Sequence, residues 1–373
     1  MTLFQQLKQI FTLQYWFPNR RTAEYTIQTR CKMCPTAHED TKKKCDNFTT
    51  VEDFKYIQLI GKGGFGKVML VSIKNETAQV FAMKVIQKEK IYKHKMTQHI
   101  NNEFKIWSTI QHPFICCLHY AFQCDVNLYL VSEYHCGGSL HYHLNTLAYF
   151  SEARACFYLS EIILALTYLH TNKILYRDLK MENIIMNRSG HVALTDFGLS
   201  KTCLIKTRTF CGTLEYMAPE MIRRVAYGFS IDWWSFGILM YEMMCKKTPF
   251  RHENRDVTCY SILNETPKFP THLSRASRSL IILLLNKDPK IRLKKIMQIK
   301  KHRFFKHVDF KQILNKQTIP PFRPDIDYNE VKYISKQLLK KSVSIEEDDD
   351  DDDDIVSFSH VFKHDFQYFY YKK

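Results

Sequence analysis

Tyr176-Arg177-Asp178-Leu179-Lys180-Met181-Glu182-Asn183, followed thirteen residues later by Asp196-Phe197-Gly198, is the stretch on which the reading of this chain turns. It holds a carboxylate, a cation, an amide and a second carboxylate, with hydrophobic runs on both sides to fix their positions. That order suits phosphoryl transfer from a metal-bound nucleotide. One carboxylate orients a hydroxyl, the cation steadies a phosphoryl group, and the amide and second carboxylate offer hard oxygens to a divalent cation. A solvated loop merely rich in Arg, Asp and Lys would leave the other parts of such a site missing. The rest of the chain must therefore supply a phosphate-binding turn and a buried lysine with an acidic partner.

Both are present upstream. Gly61-Lys62-Gly63-Gly64-Phe65-Gly66-Lys67-Val68 lies between alternating apolar runs at 54–60 and 68–71. Glycines let the backbone turn tightly and bring N–H groups to phosphates with no Cβ in the way. A G-x-G-x-x-G alone is weak, because a dinucleotide-binding fold uses it too. There a helix follows at once, whereas the β-branched alternation of 68–73 predicts a second strand. The next strand, 80–86, buries Lys84 in an otherwise apolar run, which is costly without an anionic partner. Glu103 is the natural carboxylate, on a helix expected over about 97–109 that ends before His112-Pro113.

Together these segments resemble the eukaryotic protein kinases over residues 54–305. The resemblance implies an α+β, bilobal fold. A β-rich small lobe spans 54–135 and a mainly helical large lobe 136–305, between an N-terminal extension, 1–53, and a C-terminal tail, 306–373. It further implies ATP and Mg2+ as cofactors. Gly61, Lys62, Gly63, Gly64, Phe65 and Gly66 would cover the nucleotide, Val68, Ala82 and Ile185 would sandwich adenine, and the Glu133 carbonyl and His135 N–H would recognise its edge. Lys84, paired with Glu103, would hold phosphates; Asp178 would be the catalytic base, Lys180 would steady the phosphoryl group, and Asn183 and Asp196 would hold magnesium. Lys180 at its position is similar to serine/threonine kinases. Glu220 of Met217-Ala218-Pro219-Glu220 would pair with Arg292, and Asp232-Trp233-Trp234 would open an apolar helix beneath the catalytic loop.

Thr209-Phe210-Cys211-Gly212-Thr213-Leu214-Glu215-Tyr216 resembles the activation segment of the AGC group, and the longer strings around these motifs most resemble the ribosomal protein S-six kinase branch. The likeness implies phosphorylation of Thr209 by an upstream kinase, with Arg177 and His99 clamping the phosphate. Thr213, Glu182 and Glu242 are implied on the substrate side, the two glutamates receiving basic residues N-terminal to a Ser or Thr acceptor in protein substrates; a third such position falls on Ser139. Leu199 resembles kinases that favour Ser. Pro320-Pro321-Phe322 and Phe366-x-x-Phe369 look like the AGC tail and its hydrophobic motif, which docks two rings beside the Glu103 helix; Tyr370 stands where relatives usually carry a phosphorylatable or acidic residue. Between them, Glu346 to Asp354 reads as a solvated linker or as a permanent substitute for a tail phosphate. Small Ser132 implies a larger cavity behind adenine, and the bulk of Trp107, one turn past Glu103, is expected to strain its helix.

Composition is consistent with this outline. A chain of 373 residues, 45% hydrophobic, can bury two cores, and its 12 scattered cysteines suit reduced thiols in a cytoplasmic or nuclear setting. Cys31, Cys34, His38 and Cys45 offer four candidate zinc ligands, yet one C-x2-C without a second pair is more simply read as free thiols. No run has the length of a membrane span, and the residues 1–17 lack the basic start and cleavage site of a secretory signal. The formal net charge of +16, despite nine consecutive acidic residues, would attract nucleic acid, ribosomes or anionic membrane. A second hypothesis is therefore a kinase-fold scaffold or nucleic-acid-binding protein. Such a protein would need lost catalytic groups, and every one is present.

Overall fold

The computed structural model describes residues 49–63, 66–74, 76–203, 206–324, 366 and 369–373. Gly64, Phe65, the acidic run and the N-terminal Cys/His quartet lie outside them. Strands β1 (Phe54–Gly63), β2 (Gly66–Ile73), β3 (Glu76–Gln87), β4 (Leu118–Gln123) and β5 (Asn127–Glu133) form an antiparallel sheet in the order β1-β2-β3-β5-β4. Period-two alternation sorts its residues. Phe81, Met83 and Val85 of β3 point into a small core with Phe54, Leu59, Met69, Val71, Phe122, Tyr129 and Val131. The intervening Ala82 and Lys84 take the opposite face, toward the cleft. Register fixes their height, with Lys84 opposite Val68 on β2 and Leu130 on β5, and Ala82 opposite Ser132.

Between β3 and β4 come α1 (Lys88–Lys93) and α2 (Thr97–Thr109), the latter matching the expected span. Ile100, Phe104, Ile106 and Trp107 make its buried stripe. The larger lobe is built on α4 (Glu152–Thr171) and α6 (Ser230–Cys245), apolar on nearly every side and buried accordingly. Around them lie α3 (Leu140–Asn145), α5 (Pro219–Ile222), α7 (Arg255–Asn264), α8 (Arg275–Leu284), α9 (Ile296–Lys300) and α10 (Phe310–Leu314). Ser151, Asn254 and Ser274 cap α4, α7 and α8 by accepting backbone N–H bonds in the first turn. In the run 280–285, Leu280, Ile281, Leu284 and Leu285 are core, whereas Ile282 and Leu283 face solvent. The hairpin β7 (Ile184–Met186)/β8 (Val192–Leu194) and the pair β6 (Ile174–Leu175)/β9 (Lys201–Thr202) sit on this helical base and carry the loops of the cleft.

The C-terminal residues return to the small lobe. Tyr371–Lys372 forms β10, antiparallel to β4, and makes a sixth strand at that sheet edge. Phe366 and Phe369 are buried, the Phe369 ring 4.6 Å from that of Phe104 on α2. Gln123 donates to the Phe366 carbonyl at 2.6 Å, and Lys88 lies 5.9 Å from that ring. Phe322, by contrast, stays on the larger lobe under Arg154 and beside His143.

Candidate active site

The cleft between the lobes has a volume of about 420 Å³. Its walls bring together Val68, Ala82, Lys84, Glu133, His135, Asn183, Ile185 and Asp196, eight of the residues singled out in the sequence. At its inner end the Lys84 ammonium lies 2.8 Å from Glu103 and 3.5 Å from Asp196. Burial pulls the Lys84 ammonium toward its neutral form, but Glu103 and Asp196 outweigh it and the net shift is upward. The two carboxylates respond in opposite directions. Burial raises Glu103 despite Lys84, whereas Lys84 lowers Asp196 despite burial, leaving Asp196 the better anionic ligand for a cation.

At the outer end Asp178 is the hub. Lys180 donates to its Oδ2 at 2.7 Å, Asn183 Nδ2 to the same oxygen at 2.8 Å, and Thr213 Oγ1 to Oδ1 at 3.3 Å. Lys180 also reaches Thr213 at 3.2 Å. Asn183 donates again to the Asp178 carbonyl, so its amide oxygen is the atom left to turn toward Asp196 and a metal. Two hard oxygen donors beside the Lys84 ammonium fit Mg2+, which takes few protein ligands and completes its shell from phosphate and water.

Two of these positions depend on left-handed backbone. Arg177 has φ +68° and Asp196 φ +59°, conformations that non-glycine residues rarely hold without outside support. For Arg177 the support is Asp232, buried in the first turn of α6. Its carboxylate accepts the backbone N–H groups of Tyr176 at 3.0 Å and Arg177 at 2.9 Å, and contacts His170 Nε2 at 2.8 Å. Sequence reasoning placed the helix under the loop but gave Asp232 no role; an acid in the first turn of a largely apolar helix was the available signal. Gly198 is pinned too, since a Cβ there would sit 3.3 Å from both Asp196 Oδ1 and Glu103 Oε2.

The glycine-rich turn needs a different explanation from the expected one at one position. A Cβ on Gly66 would lie 1.9 Å from the Val85 carbonyl oxygen, so close packing on β3 requires this glycine. At Gly61 a Cβ would meet only Val68, at ordinary contact distance.

In the activation segment, Thr209 Oγ1 is 3.3 Å from Thr207 Oγ1, which accepts from Lys201 at 3.2 Å. Arg177 Nε donates to the Leu199 carbonyl at 2.5 Å, while its Nη1 is buried without a hydrogen-bond partner. Burial, then Arg177 and Lys201, lower the His99 imidazole and favour its neutral form, so two cationic side chains and this imidazole converge on this side of the segment. Lys201 was the member not foreseen.

On the opposite rim, Glu182 is half exposed with its carboxylate 3.5 Å from His141. Glu242 is held by the Tyr216 hydroxyl, and burial raises its carboxyl to about 7, with Tyr216 opposing and Glu182 and Glu215 adding to the rise. Ser139 accepts the Tyr142 N–H as the cap of α3. Trp107 is not strained: α2 runs unbroken and the indole N–H donates to the Cys116 carbonyl at 2.7 Å.

Comparison with known families matches the protein kinase domain over residues 54–305. The chain belongs to the protein kinase family. It is 46% identical over 305 residues to a probable serine/threonine-protein kinase of Dictyostelium discoideum, covering 80% of this chain and 66% of that one. It is 40% identical over 304 residues to human RAC-beta serine/threonine-protein kinase, covering 79% and 63%, and 43% identical over 280 residues to a RAC family serine/threonine-protein kinase homolog of D. discoideum, covering 74% and 63%. This kinase-family chain thus spans a little under two thirds of the length of those relatives. The small-lobe sheet and the helical larger lobe are the bilobal kinase fold. Among the described residues no helix is long and apolar enough to cross a membrane.

Proposed function

We propose that the chain is an ATP- and magnesium-dependent serine/threonine protein kinase of the AGC group. The observation that carries this is the continuous polar line from Glu103 through Lys84 to Asp196, and across the cleft to Asn183, Asp178 and Lys180. Asp178 accepts the hydrogen bond of a Ser or Thr hydroxyl and takes its proton as the phosphoryl group transfers. Lys180 moves from Asp178 toward the developing phosphate charge, and Thr213 keeps the carboxylate oriented meanwhile. Lys84 binds phosphate oxygens from the small-lobe side, held there by Glu103. Magnesium, held by Asn183 and Asp196, would supply the charge neutralisation that lets the terminal phosphoryl group leave.

Regulation by phosphorylation at Thr209 is part of this reading. It is supported by the convergence of Arg177, His99 and Lys201 and by the unpaired Arg177 Nη1. A preference for basic residues before the acceptor is supported by half-exposed Glu182. Two of the three relatives reported carry RAC names, so we assign the chain to the AGC group without choosing the S-six branch. Cytoplasmic or nuclear residence goes with this role.

The kinase-fold scaffold remains as a second reading, favoured by the +16 charge. Wild type and Asp178→Asn, each incubated with ATP, magnesium and a peptide array, separate the two. Wild type is expected to phosphorylate Ser and Thr peptides with Arg upstream, and the variant to lose at least about a hundredfold in rate. Equal incorporation by both, or none by either, overturns the catalytic reading.

A further inference from the structure

Trp107, Cys116 and Ser132 form the rear wall of the cleft. Ser132 is 7% exposed and Trp107 4%, and both border the same cavity. Cys116 stands between them. Its carbonyl accepts the indole N–H at 2.7 Å, its thiol donates to the Glu133 carbonyl at 3.3 Å, and the same thiol interacts with Ser132 and Thr195. The indole also packs 5.8 Å from the ring of Phe197. A serine at position 132 opens space that a protein interior does not leave empty without cost. The side chain available to fill it is the indole, presented from α2 one turn after Glu103 and locked in orientation by its hydrogen bond.

We propose that Trp107 closes the rear of the nucleotide cleft that Ser132 leaves open, so that the two side chains together decide which adenine-site ligands fit. A small residue at 132 alone implies tolerance of bulky groups behind adenine; with the indole in place the wild-type protein rejects them. Because Trp107 belongs to α2, the helix that carries Glu103, the closed rear wall exists only while α2 holds its present position. This inference rests on the nucleotide-cleft reading, in which the Glu133 carbonyl receives the exocyclic amine of adenine. A substituent on that amine is then directed at the neighbouring Ser132 and beyond it at Trp107.

The test uses the full chain and titration calorimetry with two probes, ADP and N6-benzyl-ADP. The quantity read is the ratio of their dissociation constants in wild type, Trp107→Leu, Trp107→Phe, Ser132→Met and the Ser132→Met/Trp107→Leu double variant. Wild type is expected to bind the benzyl analogue more weakly than ADP. Trp107→Leu should lower the ratio at least about tenfold, and should fail to lower it when Ser132→Met is also present. That dependence on position 132 is a signature that general loosening of α2 would not produce. If Trp107→Leu does not give a native circular dichroism spectrum, Trp107→Phe carries the comparison with an expected fall of at least about threefold. An unchanged ratio in the folded Trp107 variant, or a wild-type ratio near one, overturns the proposal. Failure of wild type to bind ADP at all would instead remove the nucleotide-cleft reading on which it stands.

Discussion

A single buried carboxylate, Asp232, holds the catalytic loop from below. It satisfies two backbone N–H groups and His170, and one of those N–H groups belongs to Arg177, whose φ is positive. Removing it leaves two buried donors unpaired, at about 1–3 kcal/mol each, and frees Asp178 to wander. Asp232→Ala should therefore lose about 3 kcal/mol in urea denaturation and at least about tenfold in kcat. A variant with wild-type stability and turnover would show that the loop holds its shape unaided. Glu242 offers a test with the opposite sign. Its carboxyl is raised from 4.5 to about 7 by burial and by Glu182 and Glu215. Between those values the folded protein binds more protons than the unfolded chain, so this group costs stability as pH rises through the window. Glu242→Gln keeps a partner for Tyr216 without the charge. Its stability relative to wild type should increase by about 2 kcal/mol from pH 5 to pH 8, read as a widening gap in Tm; a gap independent of pH would refute the assignment. Lys84 and Glu103 were legible in the chain because a lysine in an apolar strand demands an anion. Asp232 and the Tyr216–Glu242 contact were not, since each joins segments whose proximity no local pattern encodes.

At the scale of elements, α2 is the part that several partners hold at once. Lys84 grips it through Glu103, Cys116 through Trp107, and the C-terminal segment through Phe369 on Phe104. That segment is fixed in turn by β10 pairing with β4, by Gln123 on Phe366, and by the Tyr370 hydroxyl, which accepts the Thr49 N–H at 3.2 Å. Backbone pairing and ring burial are what fasten this segment to the small lobe. Phe369→Ala should cost about 3–5 kcal/mol of local stability, seen as faster amide exchange in α2 and β10 ahead of the larger lobe. Exchange rates that stay unchanged in α2 would mean that the tail does not support it. The span of α2 was readable from its apolar period and the following His112-Pro113, and β1 to β3 from alternation. The strand β10 was not, because two residues gain strand geometry only from the edge they meet.

On the scale of the whole molecule, the larger lobe is tied together by a pair far apart in sequence. Arg292 reaches Glu220 through both amino nitrogens, at 2.6 and 2.8 Å, with its guanidinium over Trp234 and its Nε on the Asn286 carbonyl. Both charges are buried. Arg292→Ala strands Glu220 in an apolar setting and should lower global stability by about 3–5 kcal/mol, whereas the reaction groups of the cleft stay in place. Denaturation midpoints and residual activity at low temperature check this together, and loss of activity in a fully folded variant would count against the division. The chain by itself determined its family, the lobes and which residues line the cleft as candidates for its chemistry, because motif order, strand period and the energetic demands of buried charge are local properties of the polymer. Tertiary structure alone decided how those groups are held: Asp232 beneath the loop, Lys201 on Thr207 beside Thr209, Val85 forcing glycine at position 66, and Trp107 on the Cys116 carbonyl. Each is a contact between elements, set only when segments far apart in the chain pack against one another to bury its apolar surface.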